Sequence, residues 1–442
     1  MTDWLYMTAG DLGRAIGAGE IGPVELTDAY LAAIDSHSER DRIYSAVTHD
    51  RARDEARASE KRARSNARRG PLDGVPISWK DLFDSAGTAT EAGSKLLQDR
   101  VPDTDAVVLR NATEAGLICL GKTHMSELAF SGLGLNPMTA TSPNVNDPKA
   151  VPGGSSSGAG ASVAFGLAAC GIGSDTGGSV RIPSAWNDLV GLKTTSGRVS
   201  LRGVVPLCAR FDTVGPLSRS VEDCALILAA LEGHSSKPIE ARPIESLRVG
   251  VLQTTVYEDI RDAPKTAFEN TMVKLKAAGV ILEDFDAPEV AEAMPLSGIL
   301  FTSEAYGTWG DVIESDPEKM FAPIRDRFRS GRDFKATDYV AAWNKLESFR
   351  DEWSARVASY DAVVMPTAPI LPPNAERLMV DDEYYVTENL LALRNTRVGN
   401  LMGLCAMSLP TGVPSCGLML CGNPNEEETL LSVALSIEGA LS

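Results

Sequence analysis

Asp175-Thr176-Gly177-Gly178-Ser179-Val180-Arg181-Ile182-Pro183 sets a serine directly behind two glycines and ahead of an arginine and a proline. Glycine lets the backbone turn tightly and leaves its N–H groups uncovered. A serine on such a turn can face a carbonyl while neighbouring N–H groups hold a developing oxyanion. The stretch lies in a segment, residues 70–231, dense in Gly, Ala, Ser and short apolar runs. Short strands alternating with helices in that texture read as an α/β layered core.

Outward from the stretch, the pattern predicts strands over 75–79 and 117–120 and helices over 106–115 and 221–231. Residues 155–167 read as a loop entering a buried helix of small residues. At the start of the chain, Thr8 can cap a helix that Gly19 ends, and Pro23 opens a second, amphipathic one. Between them and residue 70, Arg-rich sequence with Asp54, Glu55 and Glu60 interleaved reads as an exposed helix laced with i,i+4 pairs. A nucleic-acid contact is the alternative use of that basic stretch. Strands follow at 247–252, 280–285 and 360–365, with a helix over 263–278. Residues 288–353 are mostly helical and charged, and the chain closes with strands over 407–409 and 417–421 and a helix over 426–440. No repeat or linker divides the sequence, so one domain over 1–442 is expected.

The 442 residues are 43% hydrophobic, enough for a sizeable core, and carry a net charge of −18. That charge disfavours nucleic acid and anionic membranes as partners. The seven cysteines form no Cys-x-x-Cys pair, and most have apolar or Gly neighbours. They read as buried reduced thiols in a reducing compartment. The four histidines are scattered, so no metal site is expected. The N-terminus shows no basic region followed by an apolar block, and the apolar stretch 161–173 is too short and Gly-rich to span a membrane. A cytoplasmic location is the default.

Two further runs carry chemistry. Gly153-Gly154-Ser155-Ser156-Ser157-Gly158-Ala159-Gly160 lacks the Lys-Ser or Lys-Thr of a P-loop, and neither Gly-rich run fits Gly-x-Gly-x-x-Gly. Gly74-Val75-Pro76-Ile77-Ser78-Trp79-Lys80-Asp81 places Lys80 at the end of an apolar strand. A hydrolytic serine needs a base. Only His124 lies in a well-structured-looking run, and lysine is the other option. A lysine serves as a base only when neutral, and burial favours that form. The plainer reading of Lys80 is a salt bridge to Asp81 or Asp84. For Ser179 it is a turn serine.

Together the three runs resemble the amidase signature family, which carries Gly-Val-Pro-x-x-x-Lys-Asp, Gly-Gly-Ser-Ser and Asp-Thr-Gly-Gly-Ser-x-Arg-x-Pro in this order. The likeness extends to 121–128, 191–200, 211–216, 360–369 and 400–404. It is strongest over 71–231 and weak over 288–397. Ser157, Ala159 and Cys405 depart from the family's usual Gly, Ser and Pro. The resemblance implies a single large mixed β-sheet covered by helices on both faces, with a signature core at 70–231 and a variable substrate-pocket segment at 288–397. It implies Ser179 as nucleophile, Ser155 as relay after a cis peptide bond, and Lys80 as base. It further implies an oxyanion hole from the N–H groups of Thr176, Gly177, Gly178 and Ser179. Ser156 and Arg181 would brace the loop, with binding of a substrate carboxylate as the alternative for Arg181.

The implied reaction is hydrolysis of a small-molecule carboxylic amide, or of a related ester, carbamate or hydrazide, through an acyl-enzyme, with no cofactor and no metal. Met125, Phe130 and Ser131 are the candidate pocket residues, together with the loop 206–210 and aromatics of the variable segment. No charged group for the substrate is specified by the sequence, and a homodimer is left open. Two rivals remain. One is the A subunit of a tRNA-dependent amidotransferase, which typically has Arg-Tyr-Gly where this chain has Leu201-Arg202-Gly203. The other is a non-catalytic binding protein on the same scaffold.

Overall fold

The computed structural model describes residues 2–441. Among these, eleven strands form one mixed sheet. They are β1 (Tyr44–Val47), β2 (Pro76–Lys80), β3 (Ile118–Thr123), β4 (Cys170–Asp175), β5 (Val190–Lys193), β6 (Thr213–Ser218), β7 (Arg248–Leu252), β8 (Ile281–Phe285), β9 (Ala362–Pro366), β10 (Cys405–Pro410) and β11 (Gly417–Gly422). Across the sheet the order is β1-β3-β2-β4-β6-β5-β10-β11-β9-β7-β8. β2 runs parallel to β3 and β4, and β7 parallel to β8 and β9, while the strands between are antiparallel.

Every residue of β2 to β6 and of β9 is buried. Strands buried on both sides need cover on both faces, which helices supply. Ser157–Ala164 packs on β2 and β4, and Arg181–Trp186 on β5 and β10. Val221–Glu232 packs on β6, and Glu427–Leu441 on β10 and β11. This is the α/β architecture expected, a large mixed sheet between helices.

The predicted caps are present. Thr8 accepts the Asp11 N–H at the start of Ala9–Ala18, Gly19 ends it in the left-handed conformation, and Pro23 opens Pro23–Ser36. The charged helix, His49–Arg64, carries the expected Arg51–Glu55 and Arg64–Glu60 pairs, but it stops short of residue 70. Asp73 explains the early end: its carboxylate takes the Arg69 N–H and the Arg62 guanidinium, which folds residues 65–70 back as a turn. All seven cysteines are free and buried. No helix among the described residues is long and apolar enough to cross a membrane.

Candidate active site

Lys80 is the last residue of β2, and Ser174 lies near the end of the parallel neighbour β4. The carboxyl ends of parallel strands are where open α/β sheets form their binding crevices. Lys80 has no exposed surface. Its Nζ donates to Ser155 Oγ at 2.7 Å and to Ser174 Oγ at 2.8 Å. The salt-bridge reading of Lys80 is overturned, because Asp81 pairs with Lys122 at 3.1 Å and Asp84 with Arg100 at 2.6 Å. Burial lowers the Lys80 pKa to about 7, against the opposing pull of Asp175 and Asp212.

Ser155 is held by the turn that feeds the helix Ser157–Ala164. The Gly154–Ser155 peptide is cis, as expected. The N–H groups of Gly153 and Gly154 donate to the carbonyls of Leu133 and Gly132, and the Ser155 carbonyl accepts from Ser126. The Ser156 N–H donates to the Ser179 carbonyl at 3.2 Å, so the two serine loops are joined by backbone. Ser156 Oγ donates to the Ser174 carbonyl at 3.2 Å and accepts the Ser174 N–H at 3.3 Å, which fixes the strand end that meets Lys80.

The loop carrying Ser179 is wound around a buried carboxylate. Asp175 accepts from the N–H groups of Gly178 and Val180, from Nε and Nη2 of Arg181, and from Asn400. Burial alone would raise this carboxyl, but Arg181 outweighs it and holds Asp175 well below the usual carboxylate range. Arg181 is fully buried, and its remaining bonds go to the Thr396 carbonyl and Asn400 Oδ1, both at 2.6 Å, and to the Met419 sulfur at 3.2 Å. With every guanidinium nitrogen engaged inside the protein, Arg181 is a brace, and its alternative as a binder of substrate carboxylate is overturned.

The N–H of Gly178 is likewise engaged, donating to Asp175 at 2.9 Å. It is therefore removed from the expected oxyanion hole. The N–H groups of Thr176, Gly177 and Ser179 have no acceptor among the described residues. Thr176 is steadied from the side by Oγ1 donating to Asp212 at 2.5 Å.

A narrow space of about 20 Å³ opens beside Thr176, Gly177 and Ser179. Phe130 and Ser131 line it, as expected, though the Ser131 hydroxyl is occupied by Tyr385, Asn389 and the Leu133 N–H. Met125 does not line it. Its side chain is fully buried against Gly93, because Asn136 ties its carbonyl and that of Gly93 together. Leu207 comes from the expected loop, and Phe301, Arg327, Leu393 and Arg397 come from the variable segment. Three residues at the site were missed in the sequence: Ser174, Arg327 and Arg397. Ser174 is the residue just before the quoted stretch, and a strand ending there would have aimed it with Lys80. Nothing in the sequence brings the two arginines together.

Among known proteins, a family model, Amidase, matches residues 25–431. The chain belongs to the Amidase family. It is 35% identical over 383 residues to a 2-amino-5-chloromuconic acid deaminase of Comamonas testosteroni, covering 84% of this chain and 82% of that protein. It is 31% identical over 480 residues to the A subunit of a glutamyl-tRNA(Gln) amidotransferase from Neisseria gonorrhoeae, covering 99% and 98%. A solved amidase superposes with a TM-score of 0.89 at 28% identity, over 99% of this chain and all of that one. As a family member the chain is an amidase, a hydrolase of carbon–nitrogen bonds.

Proposed function

We propose that the protein hydrolyses a small-molecule amide through an acyl-enzyme on Ser179. Lys80, neutral, takes the Ser155 hydroxyl proton while Ser155 takes that of Ser179. Ser179 Oγ bonds to the amide carbon, and the resulting oxyanion rests on the N–H groups of Thr176, Gly177 and Ser179. The carbonyl re-forms as the carbon–nitrogen bond breaks. The proton held on Lys80 returns through Ser155 to the departing amine. Water then donates its proton to the same relay, attacks the ester and frees the acid and Ser179.

The observation that carries this reading is an amine without exposed surface, bonded to the Ser155 hydroxyl and, among the described residues, not paired with any carboxylate. The other buried lysines are held differently: Lys122 pairs with Asp81, and Lys193 donates to the carbonyls of Thr194 and Leu404, whereas Lys80 meets only the hydroxyls of Ser155 and Ser174. The test is acylation: a fluorophosphonate should label Ser179 in the wild type and not in Ser179→Ala, which should lose turnover by about 10⁴ or more. Wild-type rates in Ser179→Ala would end the assignment. The 31% identity, over nearly the whole chain, to the A subunit of a tRNA-dependent amidotransferase favours a second reading, in which the same site supplies ammonia to a partner complex. Amide hydrolysis by the purified chain alone separates the two.

A further inference from the structure

The space beside Ser179 is lined by two arginines and by no acidic residue, in a chain whose net charge is −18. Arg397 lies on the helix Arg394–Leu401, and its guanidinium makes no hydrogen bond or ion pair among the described residues; its Nε is buried and unpartnered. Arg327 comes from the helix Ala322–Arg329. It donates Nη1 to the Phe130 carbonyl at 2.8 Å and lies 4.3 Å over the Phe130 ring, again with no carboxylate. The nearby acids are committed elsewhere. Asp212 takes the Thr176 hydroxyl and the N–H groups of Leu207 and Cys208. Glu127 takes Ser94 and the Phe321 N–H, and Glu388 pairs with Arg261. Burial, then repulsion from Arg327, lowers the Arg397 pKa to about 9, which still leaves it charged at neutral pH.

Two guanidinium groups facing one space without a counter-ion are costly until an anion arrives. Their placement is also rigid. The helix that carries Arg397 presents Thr396, whose hydroxyl donates to the Gly177 carbonyl, and Asn400, which donates to Asp175. The anion site is thus built on the same support as the nucleophile loop, and a guanidinium fork suits a planar carboxylate. On the amide-hydrolase reading above, we infer that the substrate is an amide bearing a carboxylate, which Arg397 and Arg327 receive. The lining offers no acid for an ammonium group, so an acid amide such as glutaramate should be preferred to glutamine.

The test compares kcat/KM for succinamate (carboxylate on the acyl side), N-acetylglycine (carboxylate on the amine side) and neutral butyramide. One of the acids should exceed butyramide by about tenfold or more, mainly through KM, and which one does so assigns the side of the carboxylate. Arg397→Met should cut that preference by about tenfold to a hundredfold, Arg327→Met should act in the same direction, and Arg397→Lys should restore part of it. Equal use of acidic and neutral amides, or a preference unchanged in Arg397→Met, overturns the inference. Calorimetry with succinate and glutarate, and with N-acetylglycine in the Ser179→Ala background, gives a readout free of turnover. Binding that weakens in Arg397→Met supports the anion site even if every amide is left intact, an outcome that would count against the hydrolase reading alone. Absence of binding by all three acids overturns the anion site while leaving hydrolysis of neutral amides standing.

Discussion

Lys80 is kept at a cost. Its pKa in the folded chain, about 7, lies below the ordinary 10.5. Between those values the unfolded chain binds a proton that the native state refuses, so stability rises with pH across that window. The full penalty is felt below the folded value. Lys80→Met keeps the stem and removes the amine. It should lower turnover by about 10³ or more, while the Tm at neutral pH stays no lower than that of the wild type. A variant that loses both activity and stability would mark Lys80 as structural. The same weighing applies to Arg397, whose unpaired charge is a liability without a ligand.

At the scale of elements, the decisive unit is the turn from β4 into Arg181–Trp186. Asp175 and Arg181 hold it from beneath, and Thr396 and Asn400 hold it from the facing helix. Asp175→Asn leaves Arg181 buried without its counter-charge and should cost about 3–5 kcal/mol, read by denaturant unfolding. The Asp175 carboxyl is depressed on folding, so its stabilisation is complete above about pH 4 and is lost as pH falls towards its lowered value. Gly178 has φ of 141°, and an added Cβ would sit 2.2 Å from Thr396 Oγ1. Gly178→Ala should therefore cut kcat by about a hundredfold, far more than it disturbs circular dichroism, since the strain falls on the loop that carries the proposed nucleophile, Ser179.

The same unit shows what sequence can and cannot reveal. β7 and β8 were legible because Val, Ile and Leu run through them between turn signals, and β2 because Ile77 and Trp79 continue along it the alternation that Val75 begins. β4, β5 and β6 were not. Cys170–Asp175 and Thr213–Ser218 are rich in Gly and Ser, and Pro216 sits inside β6 although that strand is paired on both sides. Gly215 explains the composition, since a Cβ there would lie 1.8 Å from the Leu192 carbonyl oxygen of the next strand. Close backbone approach replaced the usual β pattern. The motif residues Lys80, Ser155, Ser156, Ser179 and Arg181 were legible through the family resemblance that their three runs carry, but Arg327 and Arg397 meet only through tertiary packing of a segment with weak family likeness.

Across the whole molecule, one sheet joins strands from residue 44 to residue 422, and its central strands are covered on both faces. All seven cysteines are buried, and burial raises each thiol's pKa. A thiol reagent should therefore find almost no reactive cysteine in the native protein and seven after unfolding. Prompt labelling of several thiols without denaturant would contradict the packing described. Charge is distributed in the opposite sense to the overall balance. An acidic protein reserves two unpaired cations for the space beside Ser179.

The most direct test of the buried lysine base is the pH dependence of kcat/KM for an amide whose own charge does not change between pH 5 and 9. The wild type should rise from acid to mildly alkaline pH with an apparent pKa of about 7, as Lys80 gives up its proton, and the residual rate of Lys80→Met should lack that limb. A wild-type rate that peaks near pH 5, or a limb unchanged in Lys80→Met, would contradict it.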